Sequence, residues 1–155
     1  IHGRNGIDLV DSWPHGPEAY KGTMTAGFPN LFFLMGPNTG LGHNSMIFMI
    51  EAQVDYIMSC LKVLKDKGAD YIDVTKEAQD RFNVKVQDGF KNTVWTTGCS
   101  SWYQSAEGGN FALWPFSTWR FWLETRKVQT GDYEFGFAKA PLLPKAKAKK
   151  EKVAV

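Results

Sequence analysis

Cysteine, histidine, long apolar runs and charge of one sign are all scarce in this chain. Its 155 residues hold two cysteines, Cys60 and Cys99, and three scattered histidines, His2, His15 and His43. At most one bridge could form and no CxxC spacing occurs, which argues against a disulfide scaffold or a structural zinc site. No apolar run approaches the roughly 18 residues that span a bilayer, so membrane insertion is not expected. The start has no basic stretch followed by an apolar one, so secretion is not signalled and the cytoplasm is the expected compartment. The first residue is Ile1 rather than a methionine, so a truncated or partial reading of a longer protein is expected.

The formal charge is +2, but the last fifteen residues carry +4 and residues 1–140 carry −2. A faintly negative body lacks the bias of a nucleic-acid binder, so no such partner is expected. With 43% hydrophobic and 22% charged residues the composition is that of one globular domain. Residues 141–155 alternate Lys and Ala after two prolines and read as a disordered, solvated tail.

Turn formers, among them the Asn5-Gly6 pair, break residues 1–30 every few positions, which leaves short extended pieces and irregular connections. The apolar run Leu31-Phe32-Phe33-Leu34-Met35 predicts a central strand buried on both faces. Beyond a glycine-rich loop, Ile47, Ile50, Val54, Ile57, Leu61 and Leu64 recur at steps of three and four. That spacing predicts a helix from about Ser45 to Lys67, capped by Asn44 or Ser45 and ended by Gly68. Residues 70–74 alternate like a strand, and Thr75 opens a second helix with Ala78, Phe82, Val86 and Phe90 spaced by four. Two successive βα units are the expected result. From Thr93 the chain turns aromatic, with five of six tryptophans between Trp95 and Trp122. A hairpin around residues 107–110 is expected there, and the tryptophans suit core or interface packing more than a substrate channel.

The loop Gly36-Pro37-Asn38-Thr39-Gly40-Leu41-Gly42-His43-Asn44-Ser45 joins the end of the predicted strand to the start of the long helix, the place where open α/β sheets bind ligands. Glycines let backbone amides approach a ligand, and a helix start offers free N–H groups and partial positive charge. A second reading stands beside it, in which the glycines only make a tight connection. A Walker A loop is excluded because no Gly-Lys-Ser/Thr ends the loop. A nucleophile elbow and a Rossmann G-x-G-x-x-G are excluded on residue order. Cys99, with no base or second thiol near it in sequence, reads as structural.

Phe28-Pro29-Asn30-Leu31-Phe32, the loop from Gly36 to Ser45, Glu51-Ala52-Gln53 and Tyr56-Ile57 resemble the C-terminal part of class B flavoprotein monooxygenases of the Baeyer-Villiger type. Gly3-Arg4-Asn5-Gly6 with Trp13 and Gly16-Pro17, and Gly98-Cys99-Ser100-Ser101-Trp102-Tyr103 with Trp114-Pro115, extend the likeness over about residues 1 to 122. The resemblance implies an α/β fold, the C-terminal portion of a flavoprotein with two dinucleotide-binding, Rossmann-like domains for FAD and NAD(P), incomplete without the N-terminal part. It implies residues 1–140 as the end of the FAD-binding monooxygenase domain. It implies FAD and NADPH as cofactors, a C4a-peroxyflavin, and one oxygen atom of O2 inserted into a ketone or similar apolar small molecule. Asn38, Thr39, Gly40, Leu41 and Met46 correspond to positions beside the flavin ring, and Gly42 and His43 to positions on the substrate side. No catalytic residue and no metal ligand is assigned. The family's two glycine-rich fingerprints and its F-x-G-x-x-x-H-x-x-x-W signature are missing, so the expected partner is the absent N-terminal part of the same enzyme, without which the chain is expected to be inactive. The competing expectation is a non-enzymatic relic acting as a binding or assembly module.

Overall fold

The computed structural model describes residues 1–42, 44–91, 93 and 109–137. Helix α1, Met46–Asp66, leads through a turn at Gly68 into strand β1, Tyr71–Val74, and helix α2, Lys76–Asp88. Helix α3, Thr118–Thr125, and strand β2, Tyr133–Gly136, complete the elements. The two strands pair antiparallel, Tyr71 opposite Gly136 and Val74 opposite Tyr133. α1 packs on α3 and on β1.

Local chemistry sets these boundaries. Gly68 takes φ +64 just past α1, the left-handed turn that ends a helix at little cost to glycine. Thr75 caps α2, its Oγ1 accepting the Ala78 amide at 3.2 Å. Thr75→Ala is expected to destabilise the chain by about 1 kcal/mol in urea denaturation, whereas Thr75→Ser keeps the bond and most of the stability. Ala78, Phe82, Val86 and Phe90 all lie in the core, as their spacing predicts. Asn5 and Gly6 both take positive φ, making the tight turn expected of that pair. Arg4 then fixes this turn to the sheet, its Nε 3.0 Å from Asp73 and its Nη1 2.9 Å from Glu134.

Three expectations are corrected. Residues 31–35 form no strand: Asn30 and Met35 take φ of +60 and +57, which interrupts extended backbone at both ends of the run. Leu34 and Met35 are left exposed. The buried face of α1 is not the apolar stripe read from the sequence. Met49, Ala52, Gln53, Tyr56 and Cys60 face inward, while Ile47, Val54 and Leu61 are exposed and Ile50, Ile57 and Leu64 half-buried. Polar pairing decides that rotation. Gln53 Nε2 donates to Gly22 O (2.8 Å) and Thr23 Oγ1 (3.2 Å), its Oε1 accepts the Met35 amide (3.0 Å), and the Tyr56 and Tyr133 hydroxyls hydrogen-bond each other. The third correction is topological: with no strand at residues 31–35, only the second of the two expected βα units forms, β1 followed by α2, and β1 pairs antiparallel with β2, which the sequence reading missed along with α3. The hairpin expected around residues 107–110 involves residues 107 and 108, which lie outside the described residues; Asn110 and Leu113 beside them make bridge-type contacts.

The turn-rich start contributes more core than its composition suggests. Residues 19–25 are buried throughout, and Tyr20 and Met24 join the cluster built from α1, α2, α3 and both strands. Trp114 sits inside that cluster, whereas Trp119 is exposed and stacks on half-buried Trp122 at 4.5 Å. Trp95, Trp102, Cys99 and the Lys/Ala tail lie outside the described residues.

Candidate functional site: the loop entering helix α1

Residues 36–45 fall into an anchored half and a free half. The Asn38 amide donates to Phe111 O at 2.8 Å and the Gly40 amide to Ala112 O at 2.7 Å, while the Trp114 amide donates to Gly40 O at 2.8 Å. Asn38 Nδ2 donates to Asn110 O (2.7 Å) and Leu113 O (3.0 Å), and Thr39 Oγ1 to Gly36 O (2.6 Å). Asn38 and Thr39 are buried. The glycines here serve the chain's own packing: a Cβ on Gly36 would stand 2.4 Å from Gly22 O, and one on Gly40 2.7 Å from Ala112 O. Any larger residue at either place would separate the loop from its support.

Leu41 and Met46 are half-buried and Gly42 is exposed. Asn44 bridges the loop to α3, its Oδ1 accepting the Ser45 amide at 2.8 Å and its Nδ2 donating to Thr118 Oγ1 at 3.1 Å. Ser45 stands at the N-cap of α1 without a side-chain cap bond, so no side chain of Ser45 takes up the first-turn amides. A helix end of this kind carries partial positive charge and attracts electron-rich atoms. His43 lies outside the described residues. Of the positions assigned from the sequence, Gly40, Leu41, Gly42 and Met46 keep surface to offer. Asn38 and Thr39, both buried, hold the shape from behind, and the Gly40 backbone ties it to residues 112 and 114.

The strongly perturbed titratable groups lie elsewhere, in a buried cluster that sequence reasoning did not find. Burial pushes the Lys21 ammonium down to about 8 and the Cys60 thiol up to about 11, and holds the Tyr56 and Tyr133 phenols well above their usual range. Lys21 Nζ donates to Gln129 Oε1 at 2.5 Å and lies 4.6 Å from the centre of the Tyr56 ring. Tyr20 OH donates to Asp132 Oδ2 at 2.5 Å. These groups knit residues 20–21 to α1 and to residues 129–133. No signal in the sequence marks them, because a lone lysine among turn formers reads as surface. Among the described residues no group of His, Cys, Asp and Glu is placed to hold a metal, and no helix is long and apolar enough to cross a membrane.

No family model matches the chain. It is 52% identical over 135 residues to a Baeyer-Villiger monooxygenase of Pseudomonas aeruginosa, covering 86% of this chain and 26% of the relative. It is 43% identical over 136 residues to a Baeyer-Villiger monooxygenase of Streptomyces coelicolor, again 86% and 26%. In fold it is similar to the NADP+-bound cyclohexanone monooxygenase of Rhodococcus sp. Phi1, with TM-score 0.76, 26% identity, and 89% and 27% of the two chains covered. A steroid monooxygenase bound to NADP gives TM-score 0.77 at 26% identity, with the same coverage. The chain thus spans about a quarter of the length of the curated relatives it matches.

Proposed function

The chain belongs to the Baeyer-Villiger type of class B flavoprotein monooxygenases, and from that membership we propose that it is the C-terminal part of such an enzyme, forming one wall of the flavin site. The 52% identity over 135 residues carries this reading. The donor set fits the edge of a flavin ring and not a whole dinucleotide: among the described residues the start of α1 has no cap bond from its Ser45 side chain, whereas no glycine-rich pyrophosphate loop occurs in the sequence. FAD, when bound, supplies the electron relay from NADPH to O2 through which a ketone is oxygenated.

The protein's own contribution is placement and field. Amides at the start of α1 would favour negative charge on the ring edge, an effect of a few tenths to ~2 kcal/mol. Leu41 and Met46 would wall that edge, with Asn38, Thr39 and Gly40 fixing the loop behind them. Gly42 and His43 would face the substrate. The exposed stripe of Ile47, Val54, Met58 and Leu61 on α1 is the surface that the rest of a relative-length polypeptide would cover. The free, buried Cys60 thiol suits a reducing compartment, and we assign the chain to the cytoplasm.

A chimera tests the reading: this chain replaces the matching 135-residue segment of the Pseudomonas aeruginosa relative. The chimera is expected to retain stoichiometric FAD and to oxygenate a ketone with NADPH, while the isolated chain mixed with FAD stays colourless after gel filtration. A folded chimera without FAD would overturn the proposal and favour a binding or assembly module. Tight, stoichiometric FAD on the isolated chain would overturn the claim that most of the site lies in other polypeptide.

A further inference from the structure

Beyond Gly40 the loop leaves its backbone support. Leu41 packs against the core, but Gly42, Asn44 and Ser45 are exposed. Among the described residues, the Asn44 side chain ties this exposed stretch to another element, and it does so through Thr118, the first residue of α3. Asn44 Oδ1 accepts the Ser45 amide at 2.8 Å, which fixes Nδ2 as the donor that reaches Thr118 Oγ1 at 3.1 Å. One side-chain amide thus spans the entry to α1 and the entry to α3.

Thr118 stands on firmer support than Asn44. Ser117 before it caps α3, its Oγ accepting the Arg120 amide at 3.2 Å, and the Ser117 carbonyl accepts Trp114 Nε1 at 3.0 Å. Phe121, three residues on, is 1% exposed and meets the Trp114 ring edge to face at 5.2 Å. Thr118 is also β-branched, which restricts its χ1 and with it the place of the hydroxyl. A fixed acceptor therefore faces an exposed donor, and the position of Asn44 follows from that of Thr118. The segment before α3 also carries Phe111, Ala112 and Trp114, whose backbones hold the loop's anchored half.

We propose that Thr118 is a positioning residue for the flavin-edge site, acting through Asn44. Its hydroxyl holds the loop's free half so that the first-turn amides of α1 keep a single orientation. The proposal rests on the flavin reading and deepens it, because α3, remote in sequence from the loop, then helps to set the field at the ring edge. It needs no contact between Thr118 and the cofactor.

Thr118→Val removes the hydroxyl and keeps the shape, and Thr118→Ser restores the hydroxyl. In the full chain, solvent exchange of the Ser45 amide followed by two-dimensional NMR is expected to quicken about two- to tenfold in T118V, the factor one hydrogen bond is worth, and to return toward the parent rate in T118S. In the FAD-loaded chimera, held in a redox buffer at the parent's midpoint, the ratio of reduced to oxidised flavin is expected to fall about two- to fivefold in T118V and to recover in T118S. On an Asn44→Ala background T118V is expected to change neither reading further, since the two residues act through one bond. Unchanged Ser45 exchange in T118V, a yellow T118V chimera with the parent's flavin ratio, no recovery in T118S, or an undiminished T118V effect on the N44A background would each overturn the proposal and leave the flavin reading standing. A folded chimera without FAD overturns both, so the two failures are told apart. If T118V does not fold, N44A decides: a parent-like flavin ratio in N44A overturns the proposal.

Discussion

Trp114→Ala is expected to destabilise the chain by about 3–5 kcal/mol, a large part of the ~5–15 kcal/mol typical of a domain. Trp114 is 3% exposed. Its ring lies 6.2 Å from Phe82 in a stacked pair and meets Phe116 and Phe121 edge to face at 5.1 and 5.2 Å. Truncation would therefore open a cavity among α2, α3 and the segment leading into α3, beyond the transfer cost of the lost atoms. It would also remove the 3.0 Å bond from Nε1 to the carbonyl of Ser117, the residue that caps α3. Trp114→Phe keeps most of the ring contact and should cost markedly less. Urea denaturation followed by far-ultraviolet circular dichroism checks both. A loss below 1 kcal/mol for the alanine variant would show that Trp114 is not central to the core.

Lys21→Met is expected to stabilise the chain near neutral pH, by on the order of 1–3 kcal/mol, and to change the shape of its pH profile. Lys21 is 2% exposed, and burial is the main cause of its lowered pKa. Glu124 and Asp132 offset that effect only in part. Between the folded value of about 8 and the ordinary value of 10.5, the unfolded chain holds more protons on this amine than the folded chain. Stability therefore rises with pH across that window, and the full cost of charging the amine is present below it. The three buried tyrosines pull the other way once unfolded phenols ionise near 10, since their folded values are raised. The difference between parent and K21M cancels that background. Met takes the same φ of about +52 at this position, so backbone strain cancels as well. A difference profile flat from pH 8 to 10, or a K21M chain less stable than its parent at pH 7, would contradict this account.

Helices were the most legible part of the fold. The Thr75 cap and the four-residue spacing from Ala78 to Phe90 state both the start of α2 and its buried face, because cap and face are local properties. α1 was legible in extent but not in orientation. Its stripe of branched side chains is real, yet within this chain the inner face goes to Gln53, Tyr56 and Cys60, whose partners come from distant residues. β2 was illegible because a four-residue strand has too little pattern, and its place is set by pairing with β1. At the loop, the glycines were legible as places where something approaches closely. What approaches Gly36 and Gly40 is the chain's own backbone, and only long-range packing could reveal that.

The bonds from Asn38 to residues 110, 111 and 113 span 72 to 75 positions of sequence. Such distant contacts close late, since the entropy of a long intervening stretch is lost before any of them forms. During synthesis the loop can acquire its shape only after the ribosome has passed residue 114. Early-arrested chains would carry every residue of the Gly36–Ser45 motif and still lack its geometry.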